Sequence, residues 1–236
     1  MLVESDVLAP VAQPTSRRER AKDERRGRIV DAACDLLREF GLEDLSMKMV
    51  STRAAVSLST VYNLFASKQA VLGAVFDRDL LKYQELVAAA PSGDPLERIF
   101  DSVEIAATLY RADPGFYRAT MWRWGGGDPF LDVALHQPRT RFWRKMIADA
   151  VRAGHLKPGT DPAVIGALVV QVFSGVLSDW ISGAISVDQL RLEASFGFAA
   201  ALAPFATKPD AKRLRGRIAD LHRALSDSRR RVRVRA

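Results

Sequence analysis

An all-α fold is predicted for this chain of 236 residues, and two observations predict it. Apolar residues recur every three to four positions along most of the length, the spacing that lines one face of a helix. Helix start and stop signals bracket those runs, while the alternation of a half-buried strand hardly occurs. Ile29, Ala33, Leu36, Leu37 and Phe40 form one such stripe. Four Asp-Pro pairs (Asp94-Pro95, Asp113-Pro114, Asp128-Pro129 and Asp161-Pro162) each place an N-cap residue before a proline suited to the first helical position.

The elements follow in order. Helix 17–40 opens on the capping box Ser16-x-x-Glu19 and stops at Gly41, where a left-handed residue ends the turn. Helices 46–54 and 58–65 take Ser46 and Ser57 as N-caps, and helix 68–89 follows. Helices 95–112, 114–124 and 129–153 start at the Asp-Pro signals, the second running out at Gly125 to Gly127 and the third at Gly154. Helix 162–184 uses Asp161, helix 187–204 opens on Ser186-x-x-Gln189, and helix 210–227 closes the series. No internal repeat is present. The expected organisation is a flexible segment 1–16, a three-helix unit 17–68, a larger helical body 69–207, and a basic C-terminal helix and tail 208–236.

Composition narrows the function classes. With 48% hydrophobic residues the chain has the material for a core and is not largely disordered. One cysteine, Cys34, excludes an internal disulfide, and with only His136, His155 and His222 beside it no zinc site is expected. Cys34 borders the apolar stripe of the first helix and reads as an inert packed thiol. No metal and no cofactor are expected. The N-terminus lacks a basic region followed by an apolar run, so a reduced, cytoplasmic setting is the expectation. An enzyme fares poorly, since G-x-S-x-G, G-x-x-x-x-G-K-[ST] and H-E-x-x-H are all missing and Gly125 to Gly127 read as a loop.

Charge is unevenly placed. The net +7 concentrates at the ends: residues 208–236 hold 11 basic and 3 acidic side chains, and residues 17–68 hold 11 and 8, while 69–207 is slightly acidic. Basic ends suit a polyanion. Helix 162–184 is apolar nearly all round from Ala163 to Leu177, but Asp179 and the shortness of the run argue against a membrane span. A helix apolar on all sides is buried on all sides. Its second side therefore suits another subunit, with Leu190, Ala194, Phe198, Ala201 and Phe205 of helix 187–204 as partners in a homodimer interface.

The second and third helices are separated by only Ala55, Val56 and Ser57, which is helix-turn-helix spacing; the second helix of such a pair enters the major groove. Val50, Ala54, Val56 and Val61 are small apolar groups that let the pair pack closely. The outer face of helix 58–65 then offers Leu58, Ser59, Thr60, Tyr62 and Asn63, groups that reach base edges or phosphates. Ser46 and Ser57 sit at helix N-termini suited to phosphate, Lys48 joins them, and Lys68 starts the next helix. Upstream, Arg17 and Arg18 begin a basic run that reads either as a DNA-contacting arm or as a salt-laced exposed helix.

Here the sequence resembles the TetR family of bacterial transcriptional repressors. The resemblance rests on Ile29-Val30-Asp31-Ala32-Ala33, Phe40-Gly41-Leu42, Leu45-Ser46-Met47, Val50, Ala54-Ala55-Val56-Ser57, Thr60 to Phe65 and Ser67-Lys68, about a fifth of the chain. It implies an N-terminal DNA-binding domain joined to a larger domain for ligand binding and dimerisation. It makes Tyr62 and Lys68 phosphate contacts and Ser57 to Thr60 with Asn63 the groove-facing set. Two departures stand out: Ala55 replaces the family's usual turn glycine, and Ser59 replaces a frequent glycine before the threonine.

The body offers a candidate pocket. Phe116, Tyr117, Met121 and Trp124 share one helical face, Phe142, Trp143, Met146 and Ile147 a second, and Val172, Phe173, Val176 and Trp180 a third. Three converging aromatic faces, with Thr120 or Gln171 as the orienting polar group, suit a hydrophobic small molecule. Arg118, Arg123, Arg139 and Arg141 lie close in sequence and would tolerate an anionic one. The expectation is a ligand-responsive regulator that binds a palindromic double-stranded DNA operator as a homodimer. The alternative is an architectural DNA-binding protein that uses its basic ends without sequence preference.

Overall fold

The computed structural model describes residues 16–121 and 129–235, leaving out the side chains of 129–137, 229 and 231–235. Residues 1–15 of the expected flexible segment 1–16, Trp122 to Asp128 with its glycines, and Trp124 of the candidate pocket lie outside the described residues. Among the described residues ten α-helices follow one another: α1 (Arg17–Asp44), α2 (Met47–Arg53), α3 (Leu58–Phe65), α4 (Lys68–Ala88), α5 (Pro95–Ala112), α6 (Pro114–Met121), α7 (Pro129–Arg152), α8 (Pro162–Ile181), α9 (Val187–Leu202) and α10 (Lys208–Arg235). Among the described residues the β-structure is a single antiparallel bridge, Leu156 to Ala206.

Local chemistry sets the ends. The Ser16–Glu19 capping box is formed in both directions, at 3.2 and 2.7 Å. Regular α1 geometry breaks at Gly41, φ 76°, where only glycine sits without strain. Ser46, Ser57, Ser67 and Ser186 each accept a backbone N–H three residues on, while Asp94 accepts from Leu96 and Glu97 and Asp161 accepts from Ala163, each across its proline. Gly154 and Gly183, both at φ 81°, end α7 and α8.

Two clusters of buried side chains fill the interior. The first joins Ile29, Leu36 and Leu37 of α1 to Val50, Val61 and Phe65 of α2 and α3, and runs on into Tyr110, Tyr117, Leu177 and Trp180. The second gathers Ile99, Val103, Trp143, Ile147, Val169, Phe198 and Leu202 at the end remote from α3. Each fully buried aromatic or aliphatic side chain contributes about 1.5–3 kcal/mol. Helix packing is close: a Cβ on Gly166 would lie 3.0 Å from the Arg144 amide, and one on Gly197 would strike Val172.

Two expectations are corrected. The final helix is longer than 210–227, reaching Arg235, because arginine is a good helix former and basic groups suit a helix C-terminus. The α9 stripe does not face outward: Leu190, Ala194 and Phe198 are fully buried in their own subunit, Ala201 and Phe205 are half-buried, and α5, α8 and α10 pack around them. On α8, Ile165, Val169, Val170, Leu177 and Trp180 turn inward, whereas Val164 and Leu168 stay 62% and 42% exposed. By length and composition alone α8 is apolar enough to cross a membrane; its inner face is core.

Candidate functional site

The α2–α3 unit is a tightly braced turn. Val50, Ala54, Val61 and Phe65 are buried between the helices, and Ala55 adopts φ 52° to reverse the chain. The Ser57 hydroxyl accepts from the Thr60 amide at 3.1 Å and lies 2.7 Å from the Thr60 hydroxyl, fixing the start of α3. Its far end is held by Arg26 of α1, which donates to the Leu64 carbonyl at 2.6 Å and lies over the Phe65 ring at 4.2 Å. In sequence Arg26 is one arginine of the basic run that starts at Arg17, and only the packing of α1 on α3 gives it this role. So braced, α3 leaves Ser57, Leu58, Ser59, Tyr62 and Asn63 exposed, Tyr62 by 48%. Thr60 is half-buried. Ser46 and Lys48 are exposed on the neighbouring α2. The Lys68 ammonium donates to the Leu42 carbonyl at 2.8 Å, which ties α4 to the end of α1. Arg17 and Arg18 are exposed about 13 Å further along α1 than Arg26.

A small cavity of about 50 Å3 lies in the body between α4, α5, α6, α7 and α8. Its wall is mostly aromatic and aliphatic, with Asp79, Arg139 and Ser174 as polar exceptions. Tyr117 donates its hydroxyl to Asp79 Oδ1 at 2.9 Å, and burial pushes the Asp79 carboxyl above its ordinary range, against the pull of that bond. Burial likewise raises the Tyr83, Tyr110 and Tyr117 phenols, so all three are neutral donors at pH 7. The cavity also adjoins the link to the DNA-facing helices. Asp113, at the start of α6, accepts from Arg38 Nε of α1 at 2.7 Å, and Arg38 covers the Phe116 ring at 4.5 Å.

Comparison with known proteins fits this geometry. The family model for bacterial regulatory proteins of the tetR family matches residues 29–75, the stretch from mid-α1 through the turn and α3 into α4. The chain is 27% identical over 198 residues to the HTH-type transcriptional regulator UidR of Escherichia coli, covering 81% of this chain and 91% of UidR. Residues 29–75 form a TetR-family DNA-binding unit, and the chain is similar to TetR-family regulators along most of its length. It is a DNA-binding transcriptional regulator of the helix-turn-helix type. Solved structures agree in fold. Thermus thermophilus FadR in complex with lauroyl-CoA superposes with a TM-score of 0.65 at 18% identity, over 78% of this chain and 96% of that one. RolR in complex with resorcinol gives 0.63 at 16%, over 84% and 95%.

Within this body, the expected pocket residues divide. Tyr117, Met121, Phe142, Trp143 and Phe173 line the cavity. The others of the described set lie away from it. Phe116 is buried on the α1 side under Arg38, and Thr120 turns its hydroxyl back to the Phe116 carbonyl at 2.9 Å. Met146 is buried in the remote cluster, Val172 abuts Gly197, and Val176 packs on the first cluster. Gln171 is exposed on the outer side of α8. Trp180 is buried and stacks on Tyr110 at 4.9 Å and 13°, and the Arg118 guanidinium lies over the Trp180 ring at 5.1 Å. Periodicity groups residues on a face but does not say which neighbouring helix that face meets. The wall the reading missed is on α4 and α5: Phe76, Asp79, Leu80, Tyr83, Leu109 and Tyr110. A signal was present, since Phe76, Asp79, Leu80 and Tyr83 keep helical spacing and set one carboxylate in an apolar face.

Proposed function

We propose that this regulator is a homodimeric repressor that reads a palindromic operator with α3 and releases it when a hydrophobic small molecule enters the cavity. One observation carries the reading: α3 is fixed at both ends, by Ser57 and Arg26, yet leaves Leu58, Ser59, Tyr62 and Asn63 exposed among the described residues. Residues 17–68 serve as the DNA-binding domain and 69–207 as the ligand-binding and dimerisation domain. Tyr62, Ser46, Lys48 and Lys68 hold phosphates, and Leu58, Ser59, Thr60 and Asn63 face the groove. Arg17 and Arg18 extend along the backbone, and the arginines of α10 add sequence-blind affinity. The complexes of FadR with lauroyl-CoA and RolR with resorcinol support a largely apolar effector for a body of this fold. The two α3 helices of a dimer must sit about 34–36 Å apart to enter successive grooves. A ligand that parts α4 from α6 at the Asp79–Tyr117 bond also moves Asp113 and, through Arg38, α1. The setting is the bacterial cytoplasm, where the operator lies.

Fluorescence anisotropy tests this with duplex DNA from beside the protein's own gene and a scrambled duplex at near-physiological salt. The expected preference is about a thousandfold or more, lost in Tyr62→Ala and Asn63→Ala. Equal binding to both duplexes that collapses with added salt would replace this reading with the architectural one.

A further inference from the structure

We propose that the cavity takes a hydroxylated aromatic compound whose hydroxyl lodges between the Tyr110 hydroxyl and the Asp79 carboxylate. The inference rests on the regulator reading only in treating that compound as the effector.

Shape comes first. Phe76, Tyr83, Tyr110, Phe142, Trp143 and Phe173 supply flat walls, locked by edge contacts such as Tyr83 on Phe142 at 5.6 Å and Phe142 on Trp143 at 5.3 Å. Rings so arranged suit another ring inserted among them. The polar chemistry then selects the substituent. Tyr110 is 95% buried, 5% of its surface being exposed, and lines the cavity; among the described residues its hydroxyl has no hydrogen-bond partner. The hydroxyl opens on the cavity, where a group entering from outside can pair with it. Tyr110 stands beside Tyr117, ring centroids 4.9 Å apart, and Tyr117 donates to Asp79 Oδ1. Asp79 Oδ2 accepts no hydrogen bond among the described residues. A ligand hydroxyl answers both vacancies: it gives its proton to Asp79 Oδ2 and accepts one from Tyr110.

A ligand carboxylate seated between Tyr110 and Asp79 would face the Asp79 carboxyl, which a neutral hydroxyl does not.

Titration calorimetry on the full chain, free of DNA, tests this with four probes that share one tolyl ring: p-cresol, toluene, 4-methylbenzoate and 4-methylbenzylamine. The wild type is expected to bind p-cresol at least about tenfold more tightly than toluene. Tyr110→Phe and Asp79→Asn should each cut that preference to about threefold or less, with toluene affinity held within about twofold. The proposal is overturned if toluene matches p-cresol, if either charged probe binds more tightly than p-cresol, if none of the four binds, or if both variants keep the full preference. Because binding is read without DNA, a hydroxyl preference that survives while p-cresol leaves the operator complex untouched would sink the regulator reading and keep the cavity assignment.

Discussion

Ala55 carries the sharpest local conflict in the DNA-binding unit. Its φ of 52° puts a Cβ where a left-handed backbone disfavours one, at the turn on which the α2–α3 angle depends. For an L-residue that conformation costs about 1–2 kcal/mol. Glycine would remove the strain but give back about 0.4–1 kcal/mol as a more flexible unfolded chain. The net gain for Ala55→Gly is thus about 0.5 kcal/mol, read as a melting temperature about 1–3 °C higher. A lower melting temperature would mean that the turn is not strained. That the turn would need a left-handed residue was legible from the resemblance. That Arg26 would cap α3 was not, because Arg26 and Leu64 lie 38 positions apart and meet only when α1 lies across α3. Cys34 behaved as a packed thiol should: it is buried, and burial raises its pKa.

At the scale of the element, what the sequence disclosed is what a few neighbouring residues decide. Ser16, Asp94, Asp161 and Ser186 each cap the helix that follows them, because donor and acceptor are two or three positions apart. Which neighbour covers a helix face is decided elsewhere in the chain. The α9 stripe was therefore legible as apolar but not as belonging to its own core, and the α4 side of the cavity went unread. The docking of α10 shows the same dependence. Asp94 caps α5 through the Leu96 amide at 2.8 Å and also accepts from Arg213 of α10 at 2.7 Å, with His155 Nε2 at 3.2 Å. Burial works to raise the Asp94 pKa, but the Arg213 bond and the Leu96 and Glu97 amides outweigh it, and the net shift is downward. A carboxyl lowered on folding stabilises the fold above its unfolded value, about 3.9, and that stabilisation is lost as pH falls through the lower folded value. Asp94→Asn should therefore unfold at lower urea than the wild type at pH 7, and the gap should narrow as pH falls below about 3.9. A gap that stays constant as pH falls would show that the charge of Asp94 contributes nothing to holding α10 against α5.

For the whole molecule, the question is how one chain presents two reading heads. The first core cluster runs without a break from α1 to α3 into α5, α6, α8 and α9, so α3 is carried by the body rather than hung from it. A dimer of such bodies holds two α3 helices at a spacing set by its interface. With the α9 stripe consumed internally, the outer face of α8 offers Val164 and Leu168 one turn apart, both exposed opposite its buried side. A leucine at the centre of an interface resembles a core residue, and a charge there has to be buried unpaired. Leu168→Glu should accordingly convert a dimer to a monomer in sedimentation at micromolar concentration while leaving helix content unchanged. Losing the second head costs avidity, so operator affinity should fall by about a hundredfold or more although no DNA-facing residue is altered. If the variant remains dimeric, the interface is not on α8. If the wild type is itself a monomer at that concentration, the two half-sites of a palindrome are not read by a preformed pair.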